Sequence, residues 1–508
     1  MRIALINPVA RRCQGYHTIG GRIPQLGLQV LAQLTPSDHQ VDIIDEIFGP
    51  QATERLVRRG RYDLVGITSY SSGASRAYEI AAQARREGIP TIMGGPHVWA
   101  VPDEVAGHVD SIAIGECDEI WTEILSDAAA GRLKPRYQGR PASISTPGIG
   151  RGAQHLQAVN GSYTVAAIQT SRGCPVGCDY CSVTLFSGPE IRRRPIDDII
   201  DEWNSTIKRF IFVTDDNFFG VGPKHAEWAK ELLRQIIKRG KKRLWFSQTT
   251  INMGADAEGL DLAYRAGCRG MLIGFETFNP ESLRDYHKGI NRMNLSRYKE
   301  LVDGFHRAGI PVFGAFIIGA DQDDENTVAE TAIQSVKLGI DTIQITNLTP
   351  LPGTRLYQRW MSEGRIFATN YPEDWERYTF VETVYHPRKM TARKLDETIY
   401  ELRHAAANTP WVWRRTLRTL LATRSLTGSL FIHGMNKGWK RIARMQLPKD
   451  EERFGFIPHE NERTRKLRDA FTMSLRKYQA HRSMQPAPSP APLNPVCPAK
   501  LIERSREP

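Results

Sequence analysis

The chain repeats one pattern twice: short apolar runs alternate with longer amphipathic stretches. In the first series the runs are RIALIN (2–7), QVDIID (40–45), DLVGITS (63–69), TIMGG (91–95) and SIAIGE (111–116). Strands that alternate with crossover helices form a parallel sheet. Residues 1–130 are therefore predicted to form a flavodoxin-like (Rossmann-type) α/β domain. Its ligand crevice should lie beyond the carboxyl ends of the strands.

The second series occupies residues 164–370 and contains a further set of apolar runs. They are TVAAIQT (164–170), RFIFVTDDN (209–217), LWFSQTT (244–250), GMLIGFET (270–277), VFGAFIIG (312–319) and TIQITNL (342–348). These βα units predict a partial (β/α)6 TIM-type barrel, in which the active site lies at the carboxyl ends of the strands. Residues 131–163, between the two series, are rich in Gly, Pro, Ser and Arg, which predicts a linker.

The C-terminal region, residues 371–480, is predicted to be helical and basic. Within it, residues 411–449 contain nine Lys or Arg and no Asp or Glu, and Trp411, Trp413 and Trp439 are interleaved with them. Basic helices that carry Trp suit the surface of an anionic membrane. Two other interpretations stay open. One is contact with nucleic acid, which we favour least, and the other is a cap packed across the barrel mouth.

The overall composition favours a cytoplasmic protein. The net charge of +12 fits either an acidic partner or a basic, solvated surface. No apolar run approaches the roughly 18 residues that a membrane-spanning helix needs. Four of the seven cysteines are scattered singly, unlike a disulfide framework, so a reducing compartment is expected. The Pro-rich residues 481–508 are predicted to form a disordered tail.

The other three cysteines lie on one loop, directly after the first strand of the barrel series. Cys174, Cys178 and Cys181 are spaced at i, i+4 and i+7. Structural zinc takes four ligands, usually from paired cysteine knuckles, and a disulfide would leave one thiol over. A 4Fe–4S cluster held by three thiolates leaves one iron with an open position, which suits catalysis. The spacing therefore favours a cluster.

The sequence Cys174-x3-Cys178-x2-Cys181, with the aromatic Tyr180 before the third cysteine, resembles the signature of radical SAM enzymes. The resemblance implies a 4Fe–4S cluster whose fourth iron is chelated by the amino and carboxylate groups of S-adenosylmethionine (SAM). One-electron reduction, from a donor such as flavodoxin or ferredoxin, then cleaves SAM to a 5′-deoxyadenosyl radical. That radical abstracts hydrogen from the substrate.

The same resemblance implies SAM contacts at three further strand ends. By position in the barrel they are Asp215, Asp216, Asn217, Ser247, Gln248 and Glu276, and Tyr180 on the cysteine loop is implied as a further SAM contact. The second strand departs from the family, because a Gly-Gly-Glu is more usual where this chain has Thr-Asp-Asp-Asn. Each residue taken singly also has a plainer interpretation, as an ordinary polar side chain at a strand end.

In front of such a barrel, the flavodoxin-like domain resembles a cobalamin-binding domain. The implied cobalamin contacts are Thr68, Ser69, Gly94, Gly95, His97, Gly115 and Glu116. Relatives that ligate cobalt through histidine carry Asp-x-His-x-x-Gly, whereas His17 here is preceded by Gly15. A carboxylate normally orients a ligating histidine. We therefore expect no protein nitrogen on cobalt, with His97 packing beside the corrin.

The layout implies a cobalamin-dependent radical SAM enzyme, and most relatives of this kind are methyltransferases that act on unactivated carbon. The catalytic residues are not identified by the sequence, and the expected substrate is a small or lipid-like molecule. An alternative uses the same cofactors without methyl transfer, for oxidative cyclisation or C–C bond formation. A remote alternative is a non-catalytic, metal-bound interaction protein.

Overall fold

The computed structural model describes residues 1–13, 21–406, 409–454, 461–470 and 472–473. The N-terminal domain is a parallel sheet of order β2-β1-β3-β4-β5-β6. Its strands are β1 (Arg2–Asn7), β2 (Gln40–Asp45), β3 (Leu64–Thr68), β4 (Thr91–Gly94), β5 (Ser111–Ile114) and β6 (Arg136–Gln138). Its helices are α1 (Leu26–Leu34), α2 (Gln51–Gly60), α3 (Ala74–Arg86), α4 (Pro96–Ala100), α5 (Pro102–Ala106) and α6 (Trp121–Ala129). The predicted flavodoxin-like fold is confirmed.

The central strands of this sheet are uniformly apolar because helices cover both faces. Ile3, Ala4, Leu5 and Ile6 in β1 are all fully buried. β6 was not predicted, since it lies in the segment expected to be a linker. The segment also packs beside β2, where the Tyr163 hydroxyl donates to Asp45. Residues 131–163 thus connect the domains while extending the first sheet.

The second domain is a parallel sheet of order β14-β13-β12-β11-β10-β7, as predicted for a partial barrel. Its strands are β7 (Ala166–Ile168), β10 (Phe210–Val213), β11 (Leu244–Thr249), β12 (Cys268–Glu276), β13 (Val312–Ile318) and β14 (Thr342–Asn347), and β8 (Ser171–Arg172) and β9 (Arg192–Arg193) form an antiparallel ribbon. Its helices are α7 (Val183–Phe186), α8 (Ile196–Ser205), α9 (Pro223–Arg239), α10 (Ala257–Arg265), α11 (Pro280–Asp285), α12 (Gly289–Asn294), α13 (Tyr298–Arg307), α14 (Glu325–Leu338) and α15 (Arg355–Ser362).

Three helices follow the barrel: α16 (Ala392–Ala406), α17 (Thr409–Thr423) and α18 (Leu426–Phe454). α17 and α18 form a hairpin that lies against the amino-terminal ends of the barrel strands. The Phe431 ring stacks on Phe210, the first residue of β10, at 5.0 Å between centroids. Arg269, near the start of β12, donates to Thr427. The hairpin therefore closes the bottom of the barrel, and the interpretation as a cap across its mouth is wrong.

The predicted tail, residues 481–508, and parts of the basic C-terminal region lie outside the described residues. Among the helices that the structure does describe, none is both long and apolar enough to cross a membrane.

One buried carboxylate ties the hairpin to the barrel. Asp341, directly before β14, is fully buried. It accepts hydrogen bonds from His306 Nε2 at 2.8 Å, the Val312 amide at 2.8 Å and Thr419 Oγ1 at 2.6 Å. Burial alone would raise the pKa of Asp341, but the His306 charge and hydrogen bond, with Arg418 nearby, hold that pKa below its ordinary value.

We expect Asp341→Asn to destabilise the protein by about 3 kcal/mol at neutral pH, because a buried ion pair loses one partner. Thermal unfolding followed by circular dichroism would show a lower Tm. The carboxylate stabilises the fold above the ordinary pKa of 3.8 and ceases to do so as pH falls through the lower folded pKa. The difference from wild type should therefore shrink in acid. Asp261→Asn on the surface of α10 is the control and should leave Tm unchanged.

Candidate active site

The cysteine loop starts from a corner that a buried carboxylate holds in place. Asp215, at the end of β10, accepts hydrogen bonds from the backbone amides of Thr170 (2.6 Å) and Ser171 (3.1 Å) and from both of their hydroxyls. The next residue, Asp216, accepts from the Gly173 amide at 3.0 Å. Burial raises the pKa of Asp215 to about 6. These bonds fix the backbone from which the cysteine loop leaves the barrel.

The three predicted cluster ligands, Cys174, Cys178 and Cys181, are free thiols at or just below the surface of this loop. Burial raises the pKa of each thiol, to about 12 for Cys181, and the nearby Lys288 ammonium acts in the opposite direction. Among the described residues, no three His, Cys, Asp or Glu side chains form a group that could hold a single metal ion. A 4Fe–4S cluster makes no such demand, since each thiolate ligates a separate iron.

Glu276 and Lys288 form a buried ion pair beside the thiols. Glu276 ends β12 with φ +66°, a conformation that costs energy for a residue other than glycine. Its carboxylate lies 2.8 Å from Lys288 Nζ, and Tyr180 hydrogen-bonds to the same carboxylate. The pair offers one positive and one negative group, which match the carboxylate and ammonium of an amino acid. Lys288 was not predicted, because nothing in the local sequence pattern distinguishes it from a surface lysine.

The outer side of the loop is held by residues from later elements. Asp179, between two of the cysteines, accepts from Arg355 Nε at 2.7 Å and from His287 Nδ1 at 2.8 Å. Arg355 also donates to the Gly177 carbonyl. The loop is therefore clamped from outside by α15 and from inside by Glu276 and Lys288.

A cavity of about 650 Å³ separates the carboxyl ends of the two sheets. This volume lies in the range of ligand pockets. Its N-terminal-domain side is lined mainly by apolar and glycine residues, among them Leu5, Ile67, Ile92, Gly94 and Ala113. Its barrel side is more polar and includes Gln169, Arg172, Thr214, Asp216 and Gln248. The cavity lies where the sequence predicted ligand binding for both domains.

A cluster of ion pairs joins the two sides of this cavity. Arg172, in β8, donates to Glu116 at 2.6 Å and to Asp118 at 2.9 and 3.0 Å. Arg192, in β9, also binds Glu116. The turn that carries Glu116 requires Gly115: its φ is +87°, and a Cβ there would lie 2.6 Å from the Gly139 carbonyl.

Comparisons with known proteins identify both domains. Residues 15–125 match the B12 binding domain, and residues 168–334 match the radical SAM superfamily. Bacteriochlorophyllide d C-12(1)-methyltransferase of Chlorobaculum tepidum is 29% identical over 80% of this chain and 90% of that protein. The C-8(2)-methyltransferase of the same organism is 30% identical over 71% of this chain and 80% of its own length. The chain belongs to the cobalamin-dependent radical SAM methyltransferase family.

Two further comparisons agree with this assignment. Hopanoid C-2 methylase of Rhodopseudomonas palustris is 26% identical over 68% of this chain and 65% of that protein. The radical S-adenosylmethionine methyltransferase TsrM from Kitasatospora setae, solved with cobalamin and a 4Fe–4S cluster bound, has the same fold. Its TM-score is 0.62 at 16% identity, covering 87% of this chain and 99% of that one. The cofactors of this radical SAM methyltransferase are a 4Fe–4S cluster, SAM and cobalamin.

The structure brings only some of the predicted SAM contacts to the cavity. Asp216 and Gln248 line it, whereas Tyr180, Asp215, Asn217, Ser247 and Glu276 do not; of these, Tyr180 and Glu276 lie beside the thiols instead. Asn217 Oδ1 accepts from the Thr250 and Gly220 amides. The Ser247 hydroxyl donates to the Val213 carbonyl at 2.7 Å. Since protein partners occupy these buried groups, we assign Asp215, Asn217 and Ser247 a positioning role. Asp216, Gln248, Glu276 and Tyr180 stay candidates for SAM itself.

The predicted cobalamin contacts divide in the same way. Thr68, Gly94, Gly95, Gly115 and Glu116 line the cavity, and Gly94 and Gly95 allow a ligand to approach the backbone closely. Ser69 does not line it: it is buried, and its hydroxyl donates to the Tyr70 carbonyl. His97 does not line it either.

His97 is held inside a buried polar network. Its ring nitrogens lie 2.9 Å from the Tyr78 hydroxyl and 3.0 Å from Ser71 Oγ, and its side chain is fully buried. Burial lowers the pKa of His97, so the ring is neutral. The Glu104 carboxylate lies 3.6 Å away and also accepts from the Trp375 indole. His97 thus links the N-terminal domain to the segment after α15, and the expectation that it packs beside the corrin is not supported.

We expect Cys174→Ala, Cys178→Ala and Cys181→Ala each to lose the cluster and 5′-deoxyadenosine production, because no other cysteine lies on the loop. Iron and sulfide analysis after anaerobic purification measures the first effect. Cys268→Ala is the matched control: this thiol is fully buried in β12, so its loss should leave iron and sulfide stoichiometric. A triple loop variant that retained stoichiometric iron and sulfide would contradict the assignment.

We also expect bound cob(II)alamin to show no nitrogen superhyperfine splitting in its EPR spectrum. Both ring nitrogens of His97 already have protein partners, and His17, which lies outside the described residues, lacks the orienting Asp. The measurement compares wild type with His17→Ala and His97→Ala. A three-line nitrogen pattern that disappears in either variant would show that a histidine ligates cobalt.

Proposed function

We propose that the protein transfers a methyl group to an unactivated carbon of an apolar, lipid-like molecule. The observation that carries the proposal is a cavity that the carboxyl ends of both sheets line together. When bound, SAM supplies the radical that removes hydrogen, and cobalamin supplies the methyl group. The radical and the methyl group must reach the same carbon of the substrate. The substrate must therefore contact both sides of one cavity.

The character of the cavity supports an apolar substrate. Leu5, Ile67, Ile92 and Ala113 line its inner side, and the Trp99 and Phe186 rings meet edge to face across the domain junction. The names of the three relatives described above are compatible with this class of substrate, since they specify bacteriochlorophyllides and a hopanoid.

The chain's own residues prepare the site for this chemistry. Glu276 and Lys288 present opposite charges beside the cysteine loop, which suits the methionyl end of SAM. Asp216 and Gln248 offer polar contacts at the cavity wall. The Arg172 ion pairs with Glu116 and Asp118 close one side of the junction, and closure of this kind protects a radical from water.

Two partners follow from this proposal. The cluster needs one electron for each radical, which an electron donor such as flavodoxin or ferredoxin would supply. A lipid-like substrate also makes contact with an anionic membrane useful, and the basic C-terminal helices are the part of the described chain that suits it.

We expect the reconstituted enzyme with its substrate to release both S-adenosylhomocysteine and 5′-deoxyadenosine, because one SAM supplies the methyl group and a second supplies the radical. Anaerobic incubation with a lipid and pigment extract, analysed by mass spectrometry, measures both products and a gain of one methyl group. Cys174→Ala should release no 5′-deoxyadenosine. If wild type forms 5′-deoxyadenosine alone with a consumed substrate, the chemistry is a non-methylating radical reaction and the proposal fails.

A further inference from the structure

The α17–α18 hairpin exposes large apolar side chains on the side that faces away from the barrel. Trp413 and Leu417 on α17 are 62% and 44% exposed, and Leu426 and Leu430 on α18 are 63% and 59% exposed. Each pair is spaced at i, i+4, so its two side chains lie on one helix face. We call these four residues the outer face.

Contacts between the helices bring the two pairs together. The Trp413 and His433 rings lie 4.4 Å apart, and Thr416 Oγ1 lies 2.9 Å from His433 Nδ1. Because the helices are joined by a short turn, α17 and α18 run antiparallel, and Leu417 must lie level with Leu430. The outer face is therefore one apolar strip, and exposed apolar patches of this kind mark interaction sites.

Residues 411–449 of the hairpin carry only positive charges. Arg414, Arg424, Lys437 and Arg441 are exposed, and residues 411–449 contain no acidic side chain. Not every Lys or Arg of this stretch is exposed. Arg415 and Arg418 are buried, and they donate to backbone carbonyls at the barrel bottom and the end of α16. Fewer charges are exposed than the sequence suggested, and the exposed ones lie on the same two helices as the outer face.

We propose that the outer face binds an anionic lipid bilayer, with both helices lying in the plane of the membrane. This inference rests on the membrane contact suggested under the proposed function and names the surface responsible. Apolar side chains enter the headgroup region, Trp413 lies at the interface, and the surrounding Arg and Lys bind lipid phosphates.

The position of the hairpin fixes the orientation of the enzyme. The hairpin covers the amino-terminal ends of the barrel strands, whereas the cavity lies at their carboxyl ends. A strand of six residues such as β14 spans about 20 Å, so the bilayer and the cavity lie on opposite ends of the barrel. The membrane therefore anchors the enzyme without opening into its cavity. A substrate from the same bilayer must leave it before methylation.

Vesicle sedimentation with the full-length holoenzyme tests the proposal. Wild type should bind vesicles of phosphatidylcholine mixed with phosphatidylglycerol, bind phosphatidylcholine alone far more weakly, and dissociate as salt rises. Leu417→Ser/Leu430→Ser should weaken binding to the anionic vesicles by about tenfold, through lost apolar burial. Arg424→Glu should weaken it mainly at low salt.

Matched controls separate this surface from general effects. Val159→Ser removes a 48% exposed apolar side chain beside β2 of the N-terminal domain and should leave binding unchanged. Arg86→Glu reverses an exposed positive charge at the end of α3, outside the hairpin, and should also leave binding unchanged. Iron, cobalamin and 5′-deoxyadenosine should be normal in every variant, so a failure of the proposed chemistry is recognised separately from a failure of membrane binding.

Three results would overturn the proposal. The first is a wild-type protein that ignores anionic vesicles even at low salt. The second is binding that the Leu417→Ser/Leu430→Ser variant retains in full, since charge alone would then account for it. The third is a dimer in sedimentation velocity that this variant dissociates while wild type binds no vesicles, which would make the outer face a contact between two copies of the chain.

Discussion

The architecture depends on the ion pairs that Arg172 makes across the domain junction. Arg172 lies between β7 and the cysteine loop, and it binds Glu116 and Asp118 from the turn after β5. Buried ion pairs of this kind add little net stability, because desolvation offsets much of the attraction. Their contribution here is geometric. They hold the carboxyl ends of the two parallel sheets facing each other across one cavity.

Around this junction, polar networks hold the loops that carry chemistry. Asp215 holds the start of the cysteine loop, while Glu276 and Lys288 hold its inner side. His97 holds the N-terminal domain against the segment that contains Trp375, with Glu104 between them. Asp215 and His97 are buried, and protein partners already occupy their polar atoms, so both residues support the surrounding loops. Asp216 and Gln248, by contrast, face the cavity.

The amino-terminal ends of the barrel strands are closed by a separate element. A partial barrel leaves its interior open at the amino-terminal ends of the strands, and the α17–α18 hairpin closes it with Phe431 and a buried hydrogen-bond network around Asp341. The same hairpin then has one face in the core and one outside. Its basic composition therefore serves two purposes. Arg418 donates to backbone carbonyls at the barrel bottom, while Arg414, Arg424 and Lys437 are exposed on the same hairpin as the apolar outer face.

Local sequence patterns were enough to predict the two parallel sheets, the order of their strands along the chain, the cysteine loop and the family. Each of these features depends on residues that are close together in the sequence: apolar runs of strand length, helical periodicity, and cysteine spacings within one loop. The tertiary structure alone decided which polar residues reach the cavity. Asp215 and Asp216 are neighbours, yet one faces the core and the other the cavity, because the pleat of a strand end depends on how neighbouring strands pack. The roles of Lys288 and the hairpin were hidden for the same reason: each acts on a part of the chain far away in sequence, and only long-range packing brings the two together.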